Sequence, residues 1–114
     1  FPYESFEQAV ADAKTNLLWE GAGHTSVIYT NATEKAEYVG HELPVGRLVV
    51  NQAGGAASGG NYINGLHPTM SLGCGSWGNN SISENLTYKH LMNTTRLAYY
   101  HDCTMPELDE VWKL

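Results

Sequence analysis

Gly21-Ala22-Gly23-His24-Thr25-Ser26-Val27-Ile28-Tyr29-Thr30 is the stretch on which the fold turns. Its glycines break a helix, and the residues after them favour strands, so it reads as a helix end followed by a strand over 24–30. Upstream, Phe6, Ala9, Val10, Ala13, Leu17 and Leu18 recur at helical spacing and form one apolar stripe. Ser5 with Gln8 fits a capping box, in which each side chain satisfies an orphan donor of the first turn. The spacing predicts a helix from Ser5 to about Glu20. Downstream, Asn31-Ala32-Thr33 supplies a turn and an N-cap candidate. Ala36, Val39 and Leu43 share a face of a second helix over Thr33–Leu43, which Pro44 stops. Arg47-Leu48-Val49-Val50 makes a short strand within Gly46–Asn51. The order αβαβ predicts an α/β layered arrangement with parallel strands.

The 114 residues suit one small domain or a piece of a larger one. With 42% hydrophobic and 16% charged residues, disorder is disfavoured. The low charge suggests surface normally covered by more protein. A net charge of −6 leaves no basic patch for phosphates, which argues against nucleic acid. No apolar run approaches the roughly 20 residues of a membrane helix. Phe1-Pro2-Tyr3-Glu4 has neither the basic nor the apolar region of a signal peptide, and the missing initial Met suggests a start upstream or one removed. Cys74 and Cys103 are too few for a disulfide scaffold, so free thiols in a reducing compartment are expected. Four sequons, at Asn31, Asn79, Asn85 and Asn93, read as coincidence in a chain rich in Asn and Thr.

Beyond Gln52 the composition changes. Ala53-Gly54-Gly55-Ala56-Ala57-Ser58-Gly59-Gly60 is either a flexible linker or a loop whose backbone must come close to a ligand or another segment. Gly73-Cys74-Gly75-Ser76-Trp77-Gly78 is a second glycine-rich loop, with a Trp that a linker rarely needs. Asn93–Tyr100 reads as a strand with both faces covered. The tail after His101 is acidic and ends in Val111-Trp112-Lys113-Leu114.

Cys74 invites a nucleophile reading, which needs a lowered pKa and an adjacent base. No His lies beside it in sequence, and a Gly-Cys-Gly turn also suits tight packing. The packing reading is therefore preferred. His24, at a helix-to-strand junction, suits a polar group turned toward a cleft or one that satisfies a backbone group. His24, His41, His67, His90 and His101 show no metal spacing, so no metal site is expected. Gly73-x-Gly75-x-x-Gly78 matches a dinucleotide fingerprint as a string, but only a very short strand precedes it and Asn79-Asn80-Ser81 is a poor helix start. The carboxylates of both helices read as solvated faces.

Leu72-Gly73-Cys74-Gly75-Ser76-Trp77-Gly78-Asn79-Asn80-Ser81-Ile82-Ser83-Glu84-Asn85-Leu86, followed by Lys89-His90-Leu91-Met92-Asn93, is similar to the C-terminal signature of CoA-acylating aldehyde dehydrogenases. Gly21-Ala22-Gly23-His24-Thr25-Ser26 and Gly46-Arg47-Leu48-Val49-Val50-Asn51-Gln52 resemble two further segments of that family, in the same order. The resemblance runs from Phe1 to about Tyr100. Asn79 stands where the family often has Gly. The loop Ala53–Gly60 looks closer to relatives acting on polar aldehydes, such as sulfoacetaldehyde or succinate semialdehyde.

The resemblance implies the C-terminal part of an aldehyde dehydrogenase catalytic domain over 1–78. It implies a crossover and oligomerisation arm over 79–100 and an acidic tail over 101–114. The reaction it implies oxidises an aldehyde with NAD or NADP and passes the acyl group to coenzyme A, through a Cys thioester. The nucleophile and the Rossmann half would lie upstream, so no catalytic residue is expected in this chain. His24, Asn51, Gln52, Thr69, Met70 and Cys74 would line the acyl or CoA pocket. The expected partners are the remaining domains of the enzyme and further copies of itself, in the cytoplasm. Two other readings stand beside this one. One is a non-catalytic oligomerisation or binding module; the other is a self-contained enzyme using Cys74 and His24.

Overall fold

The structure is a computed structural model and describes residues 2–104 and 106. Helix α1 spans Phe6–Trp19, strand β1 Gly23–Ile28, helix α2 Thr33–Glu42 and strand β2 Val45–Val50. A single-turn helix α3, Gly54–Ala57, and two 3₁₀ turns, Ser76–Gly78 and Tyr88–Leu91, follow. The expected αβαβ order is therefore present, and β1 pairs with β2 in parallel from Gly23↔Val45 to Ile28↔Val50.

Local chemistry explains the element ends. The Ser5 hydroxyl accepts from Gln8 N (3.1 Å), which is half of the expected capping box. The other half differs: Gln8 Oε1 accepts from Glu4 N rather than from Ser5. Helix α2 is preceded by Ala32, which has no capping side chain. The polar side chain here acts one step earlier, as Thr30 Oγ1 accepts from Ala32 N (3.0 Å).

Val10, Val39 and Leu43 form the small buried centre, packed by Phe6, Ala13, Leu17, Ile28, Val45 and Leu48. Leu18, expected in the stripe of α1, is exposed, as is Trp19 beside it. The other face of the sheet meets α3, since a Cβ on Gly54 would fall on Val27 Cγ2. No described side chain falls below 2% exposure, so this core is not closed.

Residues 71–86 fold back on themselves. Gly73 N donates to Glu84 O (3.0 Å), Gly75 N to Ile82 O (2.8 Å) and Leu86 N to Ser71 O (3.0 Å). The approach requires glycine, because a Cβ on Gly73 would fall on Ile82 O. Asn79 adopts φ 57°, the left-handed region that favours glycine and that Asn tolerates better than other residues.

The strand expected over 93–100 is not formed. These residues are exposed and carry no strand pairing. A strand exists only against a hydrogen-bonding neighbour, and the described residues of one chain offer none there. The carboxylates of the acidic tail after Pro106 and its apolar end lie outside the described residues. Among the described residues no helix is long and apolar enough to cross a membrane.

Candidate functional site

The six residues expected to line a pocket divide between the two ends of the sheet and a surface depression, and Gln52, at the sheet's carboxyl end, lines a second depression of about 400 Å³. His24 and Cys74 meet at the amino end of β1, where Cys74 Sγ lies 3.7 Å from His24 Nδ1. Asn51 and Gln52 lie just past the carboxyl end of β2. A six-residue strand at about 3.3 Å per residue separates these groups by on the order of 17 Å.

Asn51 is turned back on the sheet. Its Nδ2 donates to Thr30 O (2.8 Å) and its Oδ1 accepts from Thr30 N (2.8 Å). With both amide groups engaged, Asn51 pins the exit of β1. Its φ of 54° makes that turn possible. Gln52 Oε1 accepts from Asn64 Nδ2 (3.3 Å), and its carbonyl accepts from the Tyr29 hydroxyl (3.1 Å).

Thr69 and Met70 line an open depression of about 630 Å³ together with Gly55, Ser58, Gly60 and Leu72. The glycine-rich stretch 53–60 is thus one wall of a depression rather than a linker. Met70 is fully exposed, while the Thr69 hydroxyl is engaged with the backbone of Ser71. This depression and the His24–Cys74 pair are separate features.

Two buried polar residues organise these parts, and neither stands out in the sequence. Arg47 is 6% exposed. Its guanidinium donates to Thr25 Oγ1 (3.1 Å), Gly73 O (3.0 Å) and Gly23 O (3.5 Å). One side chain therefore ties the start of β1 to the Gly73–Gly78 loop. Buried charges need such partners, because leaving water is costly. The available signal was a lone Arg in an otherwise apolar strand. Asn85 is 4% exposed, and its Nδ2 donates to Ser58 O (3.0 Å) and His67 O (2.9 Å). It holds the walls of the depression together, and its burial is at odds with its sequon serving as a glycosylation site.

Cys74 and Cys103 are both free thiols. Glycines hold the first of them: a Cβ on Gly23 would fall on the Cys74 carbonyl, and one on Gly78 would crowd Cys74 Cβ. Among the described residues no three His, Cys, Asp or Glu side chains gather as a metal site would require.

No family model matches the chain. It is 50% identical over 111 residues to the succinate-semialdehyde dehydrogenase (acetylating) of Clostridium kluyveri, which covers 96% of this chain and 24% of the relative. It is 40% identical over 114 residues to a sulfoacetaldehyde dehydrogenase of Acholeplasma, covering 98% of this chain and 23% of that protein. Among solved structures, an acetylating aldehyde dehydrogenase from Geobacillus thermoglucosidasius superposes with a TM-score of 0.79 at 34% identity, over 92% of this chain and 23% of that one. The chain thus spans about a quarter of the length of each of these three proteins.

Proposed function

We propose that this chain, whose homologues are acylating aldehyde dehydrogenases, is a C-terminal portion of such an oxidoreductase. The enzyme oxidises an aldehyde with NAD or NADP and delivers the acyl group to coenzyme A. The observation that carries this reading is the correspondence along 96% of the chain with a relative 50% identical to it. In this reading residues 1–78 finish the catalytic domain, 79–100 form the crossover and arm, and 101–114 the tail. The protein works in the cytoplasm.

The nucleotide groups do not fit the described residues of this chain alone. Gly73-x-Gly75-x-x-Gly78 follows a single bridging residue, Leu72, and its last three residues, Ser76–Gly78, are themselves a 3₁₀ turn. The dinucleotide fingerprint seats its pyrophosphate on the amino end of a helix, and no α-helix follows Gly78 among the described residues. Of the five described cations, Arg47 is committed to carbonyls, Lys14 pairs with Glu42, Lys35 lies over the Phe6 ring, and Lys89 and Arg96 come after the glycine loop, in the Tyr88–Leu91 turn and the exposed 93–100 stretch. Both nucleotides and the cysteine nucleophile are therefore assigned to the rest of the enzyme. This chain supplies wall: His24 and Cys74 at one place, and Thr69 and Met70 with the 53–60 loop at another. Asn51 acts on the frame instead, through its contacts with Thr30, while Gln52 lines a further depression of about 400 Å³ with Asn64 and Leu66. The aldehyde is a polar one, on the strength of the 53–60 loop and the substrates named in the two relatives.

The test is an assay of the product of the complete reading frame. NAD(P)⁺ reduction with succinate semialdehyde or sulfoacetaldehyde should require coenzyme A, and the 114-residue chain by itself should give no turnover. A complete protein without CoA-dependent reduction of NAD(P)⁺ by either aldehyde overturns the reading.

A second reading, assembly without catalysis, draws on the exposed apolar residues Leu91, Met92, Leu97, Tyr99 and Tyr100. These fit an arm that pairs with another copy. If 93–100 were deleted, this reading expects an oligomer to fall to monomers in light scattering, with no enzymatic activity lost in the process.

A further inference from the structure

We propose that Cys74 is a positioning residue for His24. Its S–H donates to Nδ1 and so keeps the imidazole proton on Nε2. This inference rests on the reading of the chain as part of an acylating dehydrogenase.

The two side chains meet because their backbones are fastened together. One guanidinium, that of Arg47, takes both the Gly73 carbonyl (3.0 Å) and the Gly23 carbonyl (3.5 Å). The residues that follow those two glycines are Cys74 and His24. Cys74 is fixed further by its own N–H, which donates to Asn80 Oδ1 (3.0 Å), and by Gly23 and Gly78 pressed against it. His24 is exposed, and Cys74 Sγ, at 3.7 Å, is the side-chain partner of its ring among the described residues. The anchored member of the pair is the thiol, and the member it orients is the imidazole.

A neutral imidazole carries one N–H and one acceptor nitrogen. A thiol that donates to Nδ1 makes Nδ1 the acceptor and leaves the proton on Nε2. Nε2 has no hydrogen-bond partner among the described residues. Aldehydes and thioesters present carbonyl oxygens, which only accept, and attack by a thiolate builds negative charge on that oxygen. An N–H held in one orientation is the group such an oxygen can use. Without Cys74 the ring rotates and shares its proton between both nitrogens.

Two measurements on the complete protein test this. The first reads the pair without any activity. Alkylation of Cys74 by iodoacetamide, followed by peptide mass spectrometry, should quicken about threefold or more in His24→Leu, because a thiol that donates to a neutral nitrogen gives up its proton less readily than one without that acceptor. The exposed Cys103 in the same chain is the internal reference. Equal Cys74 rates in both proteins overturn the pairing.

The second reads its consequence. Cys74→Ala should lower kcat about tenfold, with KM for NAD(P)⁺ unchanged, and Cys74→Ser, which restores a donor, should recover most of the loss. Equal losses in the two variants, or a change in KM alone, assign Cys74 to pocket shape and overturn its positioning role. A wild-type protein without dehydrogenase activity defeats the proposed function, while the alkylation rates still decide the pair.

Discussion

Residues 6–50 and residues 52–86 are organised by different forces. The first region is two helices on a two-stranded parallel sheet, and its centre is apolar: Val10, Val39 and Leu43 with their neighbours. The second contains almost no regular structure. It is held by close glycine approaches and by two buried polar side chains, Arg47 and Asn85. In the first region periodicity places residues, and any apolar side chain of similar volume would serve. In the second, individual donors and acceptors do, and substitutes are few. The sheet itself belongs to both regions, since Leu48 faces the helices while Arg47 faces the loops.

The largest expected effect breaks the second region. Arg47→Met keeps the length of the side chain but leaves Gly23 O, Gly73 O and Thr25 Oγ1 without their shared donor. It should cost about 4 kcal/mol, since several buried acceptors lose a charged donor at once. Hydrogen exchange should show lost protection at the Gly73 and Gly75 amides with α1 retained. If α1 loses protection equally, the two regions are one cooperative unit and the contrast fails.

Leu43→Ala is the converse test. It removes a side chain 7% exposed from the apolar centre and should cost about 3 kcal/mol. Far-ultraviolet circular dichroism during thermal unfolding should register it, while the amide exchange of Gly73 and Gly75 changes less. Asn85→Ala comes next, at about 2 kcal/mol, because the buried carbonyl of Ser58 and the part-buried carbonyl of His67 lose their donor. Limited proteolysis should then cut within 58–70 sooner than in the wild type.

The smallest effect is Lys14→Ala, which removes the ion pair to Glu42 (3.1 Å) between α1 and α2. Both side chains are close to half exposed, so about 0.5 kcal/mol is expected, and less at high salt. A shift as large as that of Leu43→Ala would mean that electrostatics rather than burial joins the helices.

The positions named as pocket lining show the limit of reading residue types. The family resemblance names Asn51 and Gln52 as pocket lining, and the structure has Asn51 bind both backbone groups of Thr30. Arg47 passed unremarked as one member of a short strand, although it joins the two loops that bring His24 to Cys74. The reason is physical. A hydrogen-bonding side chain declares its chemistry but not its partner, and the partners of Arg47 are a hydroxyl 22 residues away and backbone carbonyls 24 and 26 residues away in sequence.

From the sequence alone came the αβαβ order, the parallel pairing, the glycine-rich loops and the family resemblance. These rest on local signals: 3.6-residue periodicity, helix breakers, strand-forming runs and a long motif. Only the tertiary structure decided that the 53–60 segment walls a depression, that Asn79 takes the left-handed conformation glycine prefers, and that His24 touches Cys74. It also left 93–100 unpaired, where the residue types alone had read a strand. Such features depend on groups brought together across the chain, and a strand in particular depends on a neighbour its own residues cannot supply.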